Sequence, residues 1–158
     1  MNMPEVHRVG VRDDVKFGTG VKLVEPCNLY GCVIGDGCFI GPFTEIQKDV
    51  VIGARTRVQS HAFICELVTI GDDCFVGHGV MFINDTFATG GPARGRKELW
   101  RATVIGDRVS IGSNATILPV RIASDVVIGA GAVVTKDITE PGTYAGNPAR
   151  RMAPRKEA

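Results

Sequence analysis

Residues 34–82 read IGDGCFIGPFTEIQKDVVIGARTRVQSHAFICELVTIGDDCFVGHGVMF, and an apolar residue returns at every sixth position. The series is Ile34, Ile40, Ile46, Ile52, Val58, Ile64, Ile70, Val76 and Phe82. It resumes at Ile105, Ile111 and Ile117, drops one residue, and continues at Ile122, Ile128 and Val134. A weaker register upstream, Phe17, Leu23 and Leu29, joins the main one by another five-residue step. The residue after the apolar one is Gly at 35, 41, 53, 71, 77, 106, 112 and 129. Four places after the apolar residue stands a small or β-branched one, from Cys38 and Thr44 to Val126 and Ala132; Arg121, beside the dropped residue, is the exception.

A period of six matches neither the 3.6 of a helix nor the alternation of a simple strand. It fits a short strand followed by a sharp turn, with three such sides closing a triangular coil. The apolar residue points into the prism, and Gly is expected to allow corner backbone angles that a Cβ atom blocks. Successive coils then stack as parallel β at roughly 4.8 Å, and about six of them fit the chain. The expected organisation is one all-β domain over 1–158, with the repeat region at 17–138, a loop at 84–102, and a C-terminal segment and tail at 139–158.

Composition agrees with this reading. Charged residues make up 22% and hydrophobic ones 44%, as in a folded soluble chain, and the net charge of +1 gives no reason to expect a nucleic-acid or membrane partner. Twenty Gly and only 6% aromatics suit a narrow interior built from Val and Ile. The start MNMPEVHRVGVRDDV carries charges where a secretory signal is apolar, and no long apolar run is present. Five Cys without CxxC pairs argue against a disulfide frame or structural zinc, so a reduced, cytoplasmic protein is expected. Cys38 and Cys74 occupy inward slots and read as small buried hydrophobes.

The units IGDGCF, IGPFTE, IGDDCF, VGHGVM, IGSNAT and IGAGAV resemble the hexapeptide-repeat acyltransferase superfamily over roughly residues 17–150. That resemblance implies a single-stranded left-handed parallel β-helix; the handedness comes from it alone. The longer strings CVIGDGCFIGPFTEIQ, VQSHAFIC, GHGVMFIND, SIGSNATILP, AGAVVTKDI and AGNPAR are similar to N-acetyltransferases acting on nucleotide-linked 3-amino sugars in bacterial O-antigen and surface-glycan synthesis. The resemblance implies acetyl-CoA as co-substrate, no metal, and a homotrimer with clefts between prisms.

The repeat breaks between Phe82 and Ile105, where NDTFATGGPARGRKELWRA carries a Pro and four basic residues and must bulge outward. In the resembled enzymes such a loop walls the active site. Trp100, at the loop's return, reads as a packing anchor. Asn84 matches the Asn that those enzymes place beside the reacting amine; its carboxamide oxygen suits an amine N–H. Asp85 supports the same site or caps the loop. His61 and His78, 17 residues apart, should share one edge on adjacent coils, as a base, as sugar-binding groups, or as ordinary interface residues. His7 lies outside the repeat and reads as incidental.

Glu45, Gln47 and Gln59 are the polar outliers of the hexads; Gln47 and Gln59 stand in Gly slots on different faces. The resemblance implies that they line the nucleotide-sugar cleft. Ser113, Asn114, Ala130 and Gly131 should stack along one edge and meet the amide arm of coenzyme A, and Lys136, Arg150 and Arg151 suit its phosphates. The GNPAR string, with Pro148, matches the segment that closes over the cofactor.

Two other readings stay open. One is O-acetylation of a sugar or Ser hydroxyl, which needs a His base; the other is a non-catalytic β-helix scaffold. A γ-type carbonic anhydrase needs three His zinc ligands, and the repeat places only His61 and His78. UDP and dTDP forms of the substrate both fit, as do a 3-amino uronate and a 3-amino-6-deoxyhexose. For the uronate, Arg94, Arg96, Lys97 and Arg101 suit the carboxylate, and solvation accounts for these basic loop residues equally well.

Overall fold

The computed structural model describes residues 9–153; His7 and the last five residues of the basic tail lie outside them. Each hexad folds as a strand of two or three residues and a corner. In Val33–Ile34, Val33 faces out at 40% exposure while Ile34 faces in at 1%. The chain then turns through Gly35–Gly37, and Cys38 enters the interior before the next strand, Phe39–Ile40. Burying an Ile side chain stabilises by about 1.5–3 kcal/mol, and every coil repeats that gain.

The strands stack into three sheets. Sheet I runs in six strands from Lys16–Phe17 to Arg121–Ile122. Sheet II has eight, from Lys22–Leu23 to Val126–Ile128 and on to Gly142–Ala145 and Arg150–Arg151. Sheet III has six, from Asn28–Leu29 to Val133–Val134. All pairings between coils are parallel, and the last pair, Gly142–Ala145 with Arg150–Arg151, is antiparallel. The protein is a left-handed parallel β-helix of six complete coils, with a partial seventh begun by Gly142–Ala145. One loop protrudes from it, between Met81–Phe82 and Thr103–Ile105. Among the described residues no helix is long and apolar enough to cross a membrane.

The irregular steps in the repeat are absorbed at corners. Val33 lies opposite Val51, 18 residues on. Where one residue is missing the offset falls to 17, at Lys16 opposite Val33 and at Val104 opposite Arg121. There Val120 takes the inward slot at 4% exposure and Arg121 points outward, which resolves the one exception in the pattern. The upstream register is graded: Phe17, on the first coil, is 44% exposed, and Leu29 is fully buried.

The expectation about glycine is corrected. The left-handed backbone angles do not fall on the Gly that follows each apolar residue. They fall two residues later, at Gly37, Phe43, Arg55, Asp73, Gly79, Arg108, Asn114 and Gly131. The Gly slot is required by close approach: a Cβ on Gly112 would meet Ala130 N at 2.5 Å. Stacking, not corner conformation, selects glycine there.

The inward small slots hold as read. Cys38 and Cys74 are buried, and all five cysteines are unpaired. Burial pushes the Cys32 thiol up to about 11 and the Cys65 thiol up to about 12.

Candidate functional site

Three corners per coil give the prism three long edges, and their chemistry differs. The edge between sheets I and II is bonded to itself. Asp72 Oδ1 accepts from Ala54 N at 2.8 Å, Asp107 Oδ1 from Asp72 N at 2.9 Å, and Ser124 Oγ from Asp107 N at 2.9 Å. Beside this ladder, Arg55 grips Asp73 through two bonds of 2.7 Å, and Arg108 grips Asp125 at 2.7 and 2.9 Å. The hydrogen bonds and charge of the arginines hold both carboxyls below their usual range.

The edge between sheets II and III carries His61, His78, Gln59, Ser113, Asn114, Ala130 and Gly131. Backbone bonds stack them: His61 N to Pro42 O, Gly79 N to Ser60 O, Asn114 N to His78 O and Gly131 N to Ser113 O, at 2.8–3.1 Å. The two histidines thus share one edge on adjacent coils, and that edge continues into the four small residues assigned to the cofactor. The His61 ring stacks on Phe43, with centroids 4.9 Å apart. Among the described residues, neither imidazole has a hydrogen-bonded carboxylate to orient it as a base.

Pro148 extends this edge. Val133 N donates to Gly146 O at 3.0 Å, and Ala149 N donates to Val133 O at 2.8 Å, so the GNPA segment folds over the last coil. Beyond it, Lys136, Arg150 and Arg151 line a cleft of about 310 Å³ at the end of the prism, together with Tyr144 and Asp137. Arg151 is held by Glu140 at 3.0 Å. Small exposed residues along the edge and cations at its end are a donor set that fits an extended, phosphate-bearing cofactor.

The edge between sheets III and I opens into the loop and holds a cleft of about 440 Å³. Tyr30, Gln47, Phe63, Cys65, Glu66, Phe82 and Ile83 line it from the prism, and Asn84, Asp85, Phe87 and Trp100 from the loop and its neck. Arg101 N donates to Asn84 O at 2.9 Å and closes that neck. Asp85 acts inside the loop: Oδ1 accepts from Phe87 N at 3.0 Å and Oδ2 from Ala93 N at 2.7 Å. Asn84 Nδ2 donates to the Glu66 carbonyl at 3.3 Å. Among the described residues Asn84 Oδ1 accepts no hydrogen bond.

Gln47 and Glu45 belong to this edge. Gln47 Nε2 donates to Glu45 Oε1 at 2.9 Å, Tyr30 Oη donates to the same oxygen at 3.5 Å, and Gln47 Oε1 accepts from Glu66 N at 3.3 Å. Burial and the negative charges of Glu45 and Glu66 push the Tyr30 phenol up.

The structure therefore brings Asn84, Asp85, Gln47 and Glu45 together, and separately His61, His78, Gln59 and the cofactor group. Within one chain the two sets stand on different edges of sheet III. Trp100, read as a packing anchor, lines the cleft. The sequence reading missed Tyr30, Glu66 and Phe87. Glu66 was within reach, because it precedes Asn84 by 18 residues, the length of one coil.

Comparison with known proteins agrees with this geometry. The chain matches the family model described as bacterial transferase hexapeptide (six repeats) over residues 31–66. It matches hexapeptide repeat of succinyl-transferase over 67–81 and 102–136, so the loop is the gap between matches. The bifunctional protein GlmU of Synechococcus elongatus is 35% identical over 135 residues, covering 84% of this chain and 27% of that protein. The chain spans about a third of the length of the curated relatives it matches. Among solved structures, AntD, an N-acyltransferase from Bacillus cereus in complex with dTDP and coenzyme A, superposes with a TM-score of 0.77 at 20% identity, over 89% of this chain and 84% of that one. A galactoside acetyltransferase in complex with coenzyme A gives 0.64 at 28% identity, over 78% and 64%. With the repeat, the prism and these matches in agreement, the chain belongs to the hexapeptide-repeat acyltransferase superfamily.

Proposed function

We propose that this protein transfers an acetyl group from acetyl-CoA to the 3-amino group of a UDP- or dTDP-linked amino sugar, in the cytoplasmic supply of bacterial surface glycans. The observation that carries the reading is Asn84. One of its two Nδ2 N–H groups donates to the Glu66 carbonyl at 3.3 Å, and among the described residues its Oδ1 accepts no hydrogen bond, so a residue that lines the cleft has an acceptor to offer. An acceptor there draws on an amine N–H and directs the nitrogen lone pair away from itself, which is positioning rather than proton removal. Bound acetyl-CoA supplies a thioester whose transfer forms the amide C–N bond, breaks the C–S bond and sends the amine proton to the departing thiolate. A neutral amine needs no strong base, and positioning alone can carry much of the rate.

The cofactor reading rests on Ser113, Asn114, Ala130, Gly131, Pro148, Lys136 and Arg150, and on the coenzyme A held by the galactoside acetyltransferase. The nucleotide reading rests on the dTDP bound by AntD and on Glu45, Gln47, Gln59 and Asp85 near the two edges. A closed trimer unites the halves, since the Asn84 edge of one prism can face the histidine edge of the next.

The test is a thiol-release assay with acetyl-CoA against a panel of UDP- and dTDP-linked 3-amino sugars. Severe loss in Asn84→Ala with modest loss in His61→Ala and His78→Ala supports an amine acceptor. The reverse pattern turns the reading to O-acetylation with a His base. No turnover on any sugar, with no coenzyme A binding, leaves a β-helix scaffold.

A further inference from the structure

Three lines of contact in the cleft meet on Glu66. Its N–H donates to Gln47 Oε1 at 3.3 Å, and its carbonyl accepts from Asn84 Nδ2 at 3.3 Å. Its carboxylate accepts from Lys97 Nζ at 2.6 Å. Lys97 belongs to the loop, in the 3-10 turn Lys97–Leu99, and its ammonium stands 5.3 Å from the centre of the Trp100 ring. The Glu66 side chain is only 14% exposed, against 43–58% for the partners in the Arg55–Asp73 pair on the other edge. A carboxylate so far withdrawn from water is poorly solvated without its cation, so this pair holds more firmly than an open one.

We infer that Glu66 is a positioning residue with two functions at the cleft. Through Lys97 it latches the loop, with Trp100, against the prism. Through its own peptide groups, fixed by Gln47, it sets the angle at which the Asn84 carboxamide meets the acceptor amine. The second function rests on the amine acceptor proposed above; the latch does not. Within one chain neither Glu66 nor Lys97 lies on the edge assigned to coenzyme A, and their contacts are to Gln47, Asn84 and each other, so the expected loss falls on turnover of the acceptor rather than on KM for acetyl-CoA.

Trp100 is the only tryptophan in the chain, so its emission reports on the latch without any acceptor present. The full-length variants Glu66→Ala, Glu66→Gln and Lys97→Met are compared with the parent, with Arg55→Ala as an ion-pair control. The expected result is a red-shifted Trp100 emission in Glu66→Ala and Lys97→Met, and kcat for the acceptor lower by roughly tenfold with an unchanged KM for acetyl-CoA. Glu66→Gln, which keeps an acceptor for the Lys97 ammonium, recovers most of both signals, and Arg55→Ala moves neither. Unshifted emission in the alanine and methionine variants overturns the latch. All three variants keep the Glu66 peptide groups, so the positioning function is read in Gln47→Ala, which removes the acceptor of the Glu66 N–H; a parental kcat there overturns it. A parent protein inactive on every amino sugar removes the positioning function together with the acceptor reading, and the emission still decides the latch.

Discussion

The edge between sheets I and II and the edge between sheets III and I are cut from the same hexads, yet they use their polar groups in opposite ways. On the first, each side chain serves the next coil: Asp72 and Asp107 accept backbone N–H groups, and Arg55 and Arg108 close on Asp73 and Asp125. Little is left over for a ligand. On the second, the coil is interrupted, the interruption is tied to itself by Asp85, and among the described residues no donor is bonded to the Asn84 oxygen. A saturated edge builds a scaffold; an edge with a group left over builds a site.

The comparison is broken most directly at Asn84. Asn84→Ala should lower kcat/KM by about 10²–10³, the range seen when one preorganised polar group is removed from a reacting centre, with the melting temperature little changed. Steady-state kinetics beside thermal unfolding checks this, and comparable loss from Asp73→Ala would erase the distinction between the edges.

Next in size is a change on the third edge, between sheets II and III. Gly112→Val places a Cβ about where Ala130 N already stands, 2.5 Å away, and should cost at least ~2 kcal/mol of stability as the coils are forced apart. A reduced Tm with a retained parallel-β circular dichroism signal is the expected outcome.

Asp85→Ala should act locally. It strands the N–H of buried Ala93, which costs about 1–3 kcal/mol of loop order. Limited proteolysis should cut within residues 86–101 in this variant first, and KM for the acceptor should rise more than KM for acetyl-CoA.

The smallest effects belong to the ladder edge. The Asp73 and Asp125 carboxyls are held below their usual range, so their contribution is present above the ordinary carboxylate pKa and is lost as pH falls through the depressed folded values. Both are open to solvent, with side chains 43% and 50% exposed, so Arg55→Ala should shift Tm only slightly, and the shift should shrink further in high salt. Thermal scans from pH 7 down to pH 3 would show it; a large effect would mean that this edge does more than brace the stack.

Much of this was readable beforehand. Ile34 to Phe82 in steps of six announces a prism, and the failure of the step after Phe82 announces the loop. The shared edge of His61 and His78 follows from their 17-residue spacing, because the coil there is 18 residues long and the two fall one position apart in the same corner. Two things were not readable. Gly112 was taken as a corner hinge, because sequence shows which residue is glycine and not which atom crowds it. Tyr30 and Phe87 went unnoticed because ordinary corner and loop positions tolerate either residue, so nothing in the pattern marks them.

The sequence by itself determined a triangular coil of stacked parallel strands, since a period of six with a small residue four places on fits neither a helix nor a simple strand, while the left hand of the coil rested on the family resemblance. It also marked Asn84, by the break that follows it. The tertiary structure decided which polar groups share an edge and which way each one faces. Asn84 turns its Nδ2 to Glu66 and leaves its Oδ1 to the cleft, while Asp85 turns inward to hold the loop. The Asn84 orientation depends on a hydrogen-bond partner one coil away, which only stacking the coils brings within 3.3 Å, and that of Asp85 on backbone N–H groups that the folded loop turns back onto it.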